Sequence, residues 1–190
     1  YPEHFEEQHI PHSTALHAHL HGEPYLVGPL ARVNLNQDLL PGPVRKRLEA
    51  VGNPFPSANL FHSALARAVE IHFALVEAIG LLEDYTVPEA PAVETTPQQG
   101  VGFGCTEAPR GILWHRYETD AHGHIPKATI VPPTSQNQAH IEADLRQTLE
   151  AAGLDQPEEE LRALGETVIR NYDPCISCAT HFLDVNVWRR

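Results

Sequence analysis

The chain has 190 residues and a formal net charge of −12, which is long enough for one sizeable core. Hydrophobic residues make up 42% of it, an ordinary share for a globular protein, so wholesale disorder is excluded. The acidic balance argues against nucleic acid as the main partner, because phosphate binding wants a basic face, no run of about 18 apolar residues is long enough to span a membrane, and no basic-then-apolar opening reads as a signal peptide.

The first residue is Tyr1 and there is no methionine, which suggests a fragment or a processed chain. Three cysteines are present, Cys105, Cys175 and Cys178. An odd count with one tight pair is not a secreted disulfide framework and reads as a reduced chain with a redox or metal pair. Of the 13 histidines, six fall between His4 and His21.

In chain order, residues 1–55 are rich in Pro, His and Gly and read as mostly irregular, with a short helix over residues 42–51. Pro43 stands in its first turn and Gly52 just past its end. Residues 57–83 give the strongest helical signal. Ser57 is the expected N-cap, and Phe61, Leu65, Val69, Phe73, Val76 and Ile79 recur at three- and four-residue steps. Ala64, Ala66 and Ala74 widen the apolar face, which predicts a well-buried helix. Residues 85–100 (YTVPEAPAVETTPQQG) have no periodicity and read as a loop.

Residues 112–119 and 125–131 read as a β-hairpin around a Gly-containing loop. Residues 137–152 predict a helix with Ile141, Leu145 and Leu149 on one face and Gly153 at its end. Residues 156–170 predict another, with Asp155 as cap, Pro157 in the first turn and Leu161, Leu164 and Val168 inward. Asp173 and Pro174 then suit the cap and first position of a new turn. The expected fold is mainly α with a small β-hairpin, an α+β arrangement.

The sharpest chemical feature is DPCISCATH at residues 173–181. Two thiols three apart at a helix start point to one side, and a helix N-terminus favours the metal-binding thiolate. Two such sulfurs chelate one soft or borderline metal ion. On spacing alone, zinc ranks first, a redox pair second and core cysteines third. Zinc needs four ligands, and Cys175, Cys178 and His181 supply three. A redox pair wants a βαβ context that is missing. The N-terminal histidines, His9, His12, His17, His19 and His21, read as solvent-exposed polar residues rather than as a metal site.

The full string resembles the closing motif of the large subunit of [NiFe]-hydrogenases. Three further segments resemble that family in the same order: EAPRG at 107–111 followed by Leu113, Trp114 and His115; VPPTSQN at 131–137; and YLVGPLARVN at 25–34. The helical pattern of residues 59–83 is also similar. The resemblance covers nearly the whole chain, and it implies a helical bundle of the hydrogenase large-subunit type.

It also implies roles. Cys175 would be a terminal thiolate on nickel, and Cys178 would bridge nickel and iron. The iron would carry carbonyl and cyanide ligands, with Pro109, Arg110, Pro133 and Thr134 lining their pocket. Asp173 would pair with Arg110 or tune it, and His181 would help bind magnesium. Cyanide on iron is anionic, so a guanidinium and a hydroxyl suit it. Heterolytic splitting of dihydrogen would follow, the proton going to a metal-bound cysteine or to Arg110. Without the resemblance, Arg110 reads as a surface or structural ion pair, Asp173 as a cap, and Thr134 and Asn137 as caps of the following helix. Cys105 lies outside the matched ligand positions and reads as a small packing residue.

The family uses four cysteines and only the second pair is here. The expectation is therefore that residues 1–190 are the C-terminal part of a large subunit and are inactive alone. Implied partners are the N-terminal half of that subunit, an iron–sulfur small subunit, diaphorase or other electron-transfer subunits, and a maturation protease with nickel chaperones. Too few cysteines remain to hold an iron–sulfur cluster on this chain. The wording of the motif suggests a cytoplasmic, nicotinamide- or heterodisulfide-linked branch. Residues 182–190 follow the His after which many members are cut, so the resemblance leaves tail removal open. Two other classes stay in view: a non-catalytic complex-I-like subunit, which generally lacks the CxxC ligands, and a small zinc-binding module.

Overall fold

The computed structural model of the chain describes residues 5–175. Cys178, His181, the tail at 182–190 and the new turn expected after Pro174 lie outside them.

The N-terminal segment is more ordered than its composition suggests. Strands β1 (Phe5–Gln8) and β2 (His17–Leu20) pair antiparallel, Phe5 opposite Leu20 and Gln8 opposite His17. Helix α1 (Pro29–Asn36) follows, with proline in its first turn and Leu30 and Val33 buried three residues apart. The histidines of this region are not all surface residues. His17 is 4% exposed, and its Nε2 lies 3.2 Å from Oε1 of Glu142. Burial holds the His17 pKa below the ordinary imidazole value; Glu142 opposes that shift, and His12 and His19 reinforce it.

Helix α2 (Gly42–Ala50) buries Val44 and Leu48, one turn apart, in agreement with the predicted 42–51 helix. The long helix is preceded by a 3-10 turn, Leu60–His62, before α3 (Ser63–Glu83). Asn59 caps that turn, accepting from the Phe61 amide at 3.0 Å, and α3 itself has no side-chain cap, so Ser57 is not the N-cap. Ser57 instead exchanges two backbone hydrogen bonds of 2.8 Å with the side chain of Asn34.

The burial expected of α3 is only half present. Ala66 and Val69 join Leu30, Val33, Val44, Leu48 and Phe55 in the core, with Leu65, Phe73 and Val76 packed against it. The other side of the helix carries Ile71, Leu75, Ile79 and Leu82, between 57% and 75% exposed. Periodicity reports which residues share a face; it does not report whether a partner covers that face.

A three-stranded antiparallel sheet follows the exposed 84–99 segment: β3 (Gly100–Ala108), β4 (Gly111–Thr119) and β5 (Lys127–Val131), in the order β3-β4-β5. The β4–β5 hairpin was predicted; β3 was not. It is an edge strand with glycines at 100, 102 and 104, residues of low strand propensity, held by continuous pairing from Gly100↔Thr119 to Ala108↔Gly111. Cys105 lies on this strand and is exposed, so among the described residues it is not the packing residue expected.

Helices α4 (Pro133–Ala152) and α5 (Glu158–Asn171) close the described part. α4 begins four residues before the expected start, with Pro133 in its first turn. α5 buries Leu161, Gly165 and Val168. Three glutamates, 158, 159 and 160, fill its first turn in place of the Asp155 cap and favour the positive helix end. Among the described residues no helix is long and apolar enough to cross a membrane.

Candidate metal centre

Three segments far apart in sequence meet at one place. The two-residue β3–β4 turn presents Pro109 and Arg110. The first turn of α4 presents Pro133 and Thr134. The chain leaving α5 presents Asp173, Pro174 and Cys175.

Arg110 Nε donates to the backbone carbonyl of Asp173 and lies 3.3 Å from Oδ2 of the same residue. Asp173 has φ +50, a left-handed conformation that aspartate adopts more readily than most side chains. Its amide donates to the Arg170 carbonyl at 3.1 Å, so the chain turns sharply off the end of α5. The Cys175 amide donates to Oγ1 of Thr134 at 3.5 Å. Thr134 is 3% exposed, and α4 has no side-chain cap. Neither Thr134 nor Asn137 therefore caps the helix. Pro109 is exposed and Pro133, Asp173 and Cys175 are half-buried.

The residue before Asp173 is anchored separately. Tyr172 donates from its hydroxyl to Asp144 Oδ2 at 2.6 Å, and His140 Nδ1 lies 2.5 Å from the Tyr172 hydroxyl oxygen. A hydroxyl has one proton to give, so His140 Nδ1 must be the donor. Burial, then Asp144, raises the Tyr172 pKa, which keeps this phenol neutral. The Asn171 carbonyl accepts from Ser63 Oγ and from Arg67 Nη1, which satisfies the end of α5 with a cation.

Side chains of α4 that the sequence placed in a motif but gave no such role hold the other two segments. Asn137 Oδ1 accepts from the Val27 amide at 2.8 Å and its Nδ2 donates to the Val27 carbonyl at 3.1 Å. Gln136, fully buried, donates to the Ile112 carbonyl at 2.6 Å and accepts from the Tyr25 hydroxyl at 3.1 Å. α4 thus ties residues 25–27 and the start of β4 to the turn that carries Thr134. Replacing Asn137 with alanine leaves a buried amide and a buried carbonyl unpaired, each costing about 1–3 kcal/mol. A lowered urea midpoint, equivalent to about 2–6 kcal/mol in all, is the expected result. An unchanged midpoint would show that water replaces the tie at no cost.

Arg32 in α1 completes the arrangement. Its Nε and Nη2 grip Glu70 of α3 at 2.6 and 2.7 Å, and it also bonds Glu107 and the carbonyls of Ala108 and Pro109. Burial works against its charge, and Glu70 and then Glu107 more than offset that, so its pKa is raised. The YLVGPLARVN block was the only sequence signal for it, and that block names no partner. A cavity of about 730 Å³ between α2 and α3, lined by Val44, Leu48, Leu65 and Val69, includes none of the residues of this constellation.

The family model for nickel-dependent hydrogenases matches residues 17–181. The chain is 38% identical over 183 residues to sulfhydrogenase 1 subunit alpha of Pyrococcus furiosus, covering 95% of this chain and 42% of that one. It is 36% identical over 166 residues to the NAD-reducing hydrogenase HoxS subunit beta of Cupriavidus necator, covering 83% and 34%. Its fold is similar to the crystal structure of an NAD+-reducing [NiFe]-hydrogenase in the H2-reduced state, with TM-score 0.80 at 27% identity over 95% of this chain and 42% of that one. The chain spans less than half the length of these relatives. The match across 17–181, the shared α+β fold and the two relatives together place the chain in the nickel-dependent hydrogenase family.

Proposed function

We propose that this chain is the C-terminal part of a [NiFe]-hydrogenase large subunit and supplies half of the thiolates of its nickel–iron centre. The observation that carries the reading is the convergence of Arg110 and Thr134 on the Asp173–Cys175 corner. A thiolate is a suitable ligand for nickel and iron. A guanidinium and a buried hydroxyl beside it suit anionic cyanide on iron. The residues present therefore fit the group. Cys175 would bind nickel, Cys178 would bridge nickel and iron, and His181 would help hold magnesium. Pro109, Arg110, Pro133 and Thr134 would line the pocket of the carbonyl and cyanide ligands.

When bound, such a centre supplies the heterolytic cleavage or formation of dihydrogen. The chain's own residues orient and hold the proton. Arg110 is fixed through Nε by Asp173, and its Nη groups have no hydrogen-bond partner among the described residues. Those groups could donate to an anionic ligand, and Cys175, once reduced to its thiolate, would accept the proton. Electrons would leave to an iron–sulfur small subunit, with diaphorase or other electron-transfer subunits beyond it. The rest of the large subunit would cover the exposed side of α3. The cytoplasmic location rests on the resemblance to the nicotinamide-linked branch. A complex-I-like, non-catalytic subunit is disfavoured by Cys175 and Cys178 themselves. The zinc reading rests on Cys178 and His181 as well as Cys175, and the first two lie outside the described residues.

The test is elemental analysis of the chain coexpressed with the remainder of the subunit and the maturation machinery, beside Cys175→Ala/Cys178→Ala. Nickel and iron in equal amounts, lost in the double variant, is the expected result. Zinc alone, or no metal that depends on the cysteines, would replace this reading with the binding module.

A further inference from the structure

Arg32 spends all five N–H groups of its guanidinium. Two go to the Glu70 carboxylate, at 2.6 and 2.7 Å, one to Glu107 Oε2 at 2.7 Å, and two to the carbonyls of Ala108 and Pro109, at 2.9 and 2.8 Å. Its side chain is only 20% exposed. We propose that Arg32 is a positioning residue for the candidate centre, one that clamps the β3–β4 turn to α3 so that Arg110 is presented to Asp173 and Cys175. The inference rests on the reading of that centre given above and assigns it a residue beyond those that touch it.

A staple between α1 and α3 would need only the two bonds to Glu70. The other three go to the carboxylate of Glu107 and to the carbonyls of Ala108 and Pro109, the last backbone acceptors before Arg110. Carbonyls in a two-residue turn are fixed directions, and a planar fork reads several of them at once; a lysine, with its donors on one atom, does not. The same stretch of chain supports the turn from a second side. A Cβ on Gly28 would lie 2.7 Å from the Arg110 carbonyl oxygen, so the backbone at 28 is in direct contact with the turn one helical turn before Arg32. Asn137 fixes Val27, immediately upstream. The position of Arg110 is thus set by a continuous path from α4 through residue 27 and α1 to the turn.

The test compares Arg32→Met, Arg32→Lys and the core control Leu48→Ala, each in the chain assembled with the rest of its subunit. Hydrogen exchange of the amides at 107–112 needs no metal. Arg32→Met is expected to speed it by about tenfold, while Leu48→Ala leaves the turn no looser than the rest of the molecule. In metal-loaded assemblies, Arg32→Met is expected to move the infrared bands of the iron-bound carbonyl and cyanide and the pH profile. It should also cut dihydrogen turnover by up to about 100-fold at unchanged metal content. Arg32→Lys should recover part of each. Wild-type exchange at 107–112 in Arg32→Met, or bands and a pH profile that match Leu48→Ala, would overturn the assignment. Faster exchange at the turn in a protein whose wild type binds no cysteine-dependent nickel would confirm the clamp and refute the reading of the centre instead.

Discussion

An alanine at Gly111 is expected to destabilise the protein by about 2–6 kcal/mol, the sum of two separate costs. The first is conformational. Gly111 has φ +140, a region that side-chain-bearing residues adopt at a cost of about 1–3 kcal/mol. The second is steric. A Cβ there would lie 2.4 Å from Cγ2 and 2.9 Å from Cβ of Val27. Val27 cannot retreat, because Asn137 holds its amide and its carbonyl; overpacking of this kind costs about 1–3 kcal/mol. Small domains have only about 5–15 kcal/mol in total, so the variant sits near the threshold of folding. Gly102→Ala is the matched control. It lies on the same hairpin with nothing within 4 Å of the added carbon, and it is expected to be neutral or slightly stabilising. Urea midpoints of the two variants decide the matter: equal midpoints would mean that residues 27 and 111 part easily and that the close approach carries no energy.

The second large effect concerns chemistry. Arg110→Lys is expected to lower dihydrogen turnover by about 10²–10⁴-fold in the assembled, metal-loaded protein, with nickel and iron retained. Under the proposed reading Arg110 would meet two demands with different atoms, Nε on Asp173 and the Nη groups on an anionic ligand of the centre. Lysine has a single nitrogen and must give up one of them. If it stays on Asp173, the pocket loses its donor; if it enters the pocket, it is unanchored. The steady-state rate at matched metal content checks this. A lysine variant within a few-fold of wild type would remove Arg110 from the chemistry and leave it a structural ion pair.

The sequence carried some of this and not the rest, for physical reasons. Helices α2, α4 and α5 were legible because each buries one face with its own local period, and the β4–β5 hairpin because two β-rich segments flank a Gly-containing loop. Strand β3 was not, because its three alternating glycines carry neither strand propensity nor an apolar pattern, and its order comes from pairing with β4. Strands β1 and β2 are four residues long, too short for alternation to register. The exposed side of α3 was read as buried because a helix apolar on much of its circumference looks alike with or without its neighbour. Cys175, Arg110 and Thr134 were singled out through the motifs, and the structure brings Arg110 to Asp173 and Thr134 to Cys175. Arg32, Glu70 and Glu107 form one cluster but lie up to 75 residues apart, so no local pattern announces them. Cys178 and His181, read from the same motif as Cys175, lie outside the described residues.

The spacing of the ties also orders events in time. Val27 and Asn137 are 110 residues apart, Arg110 and Asp173 63, and Thr134 and Cys175 41. Closing such spans costs little more than closing half of each, about 0.6 kcal/mol per doubling of loop length, so distance weighs on the rate of folding rather than on its endpoint. On a ribosome the chain emerges from its N-terminus. Residues 27, 32, 110 and 134 therefore emerge before residues 173–175 do. The clamp of Arg32 on the turn and the tie of Asn137 to Val27 can form while the corner that completes the constellation is still inside the tunnel, so the last-made segment closes on a receptor already shaped to take it.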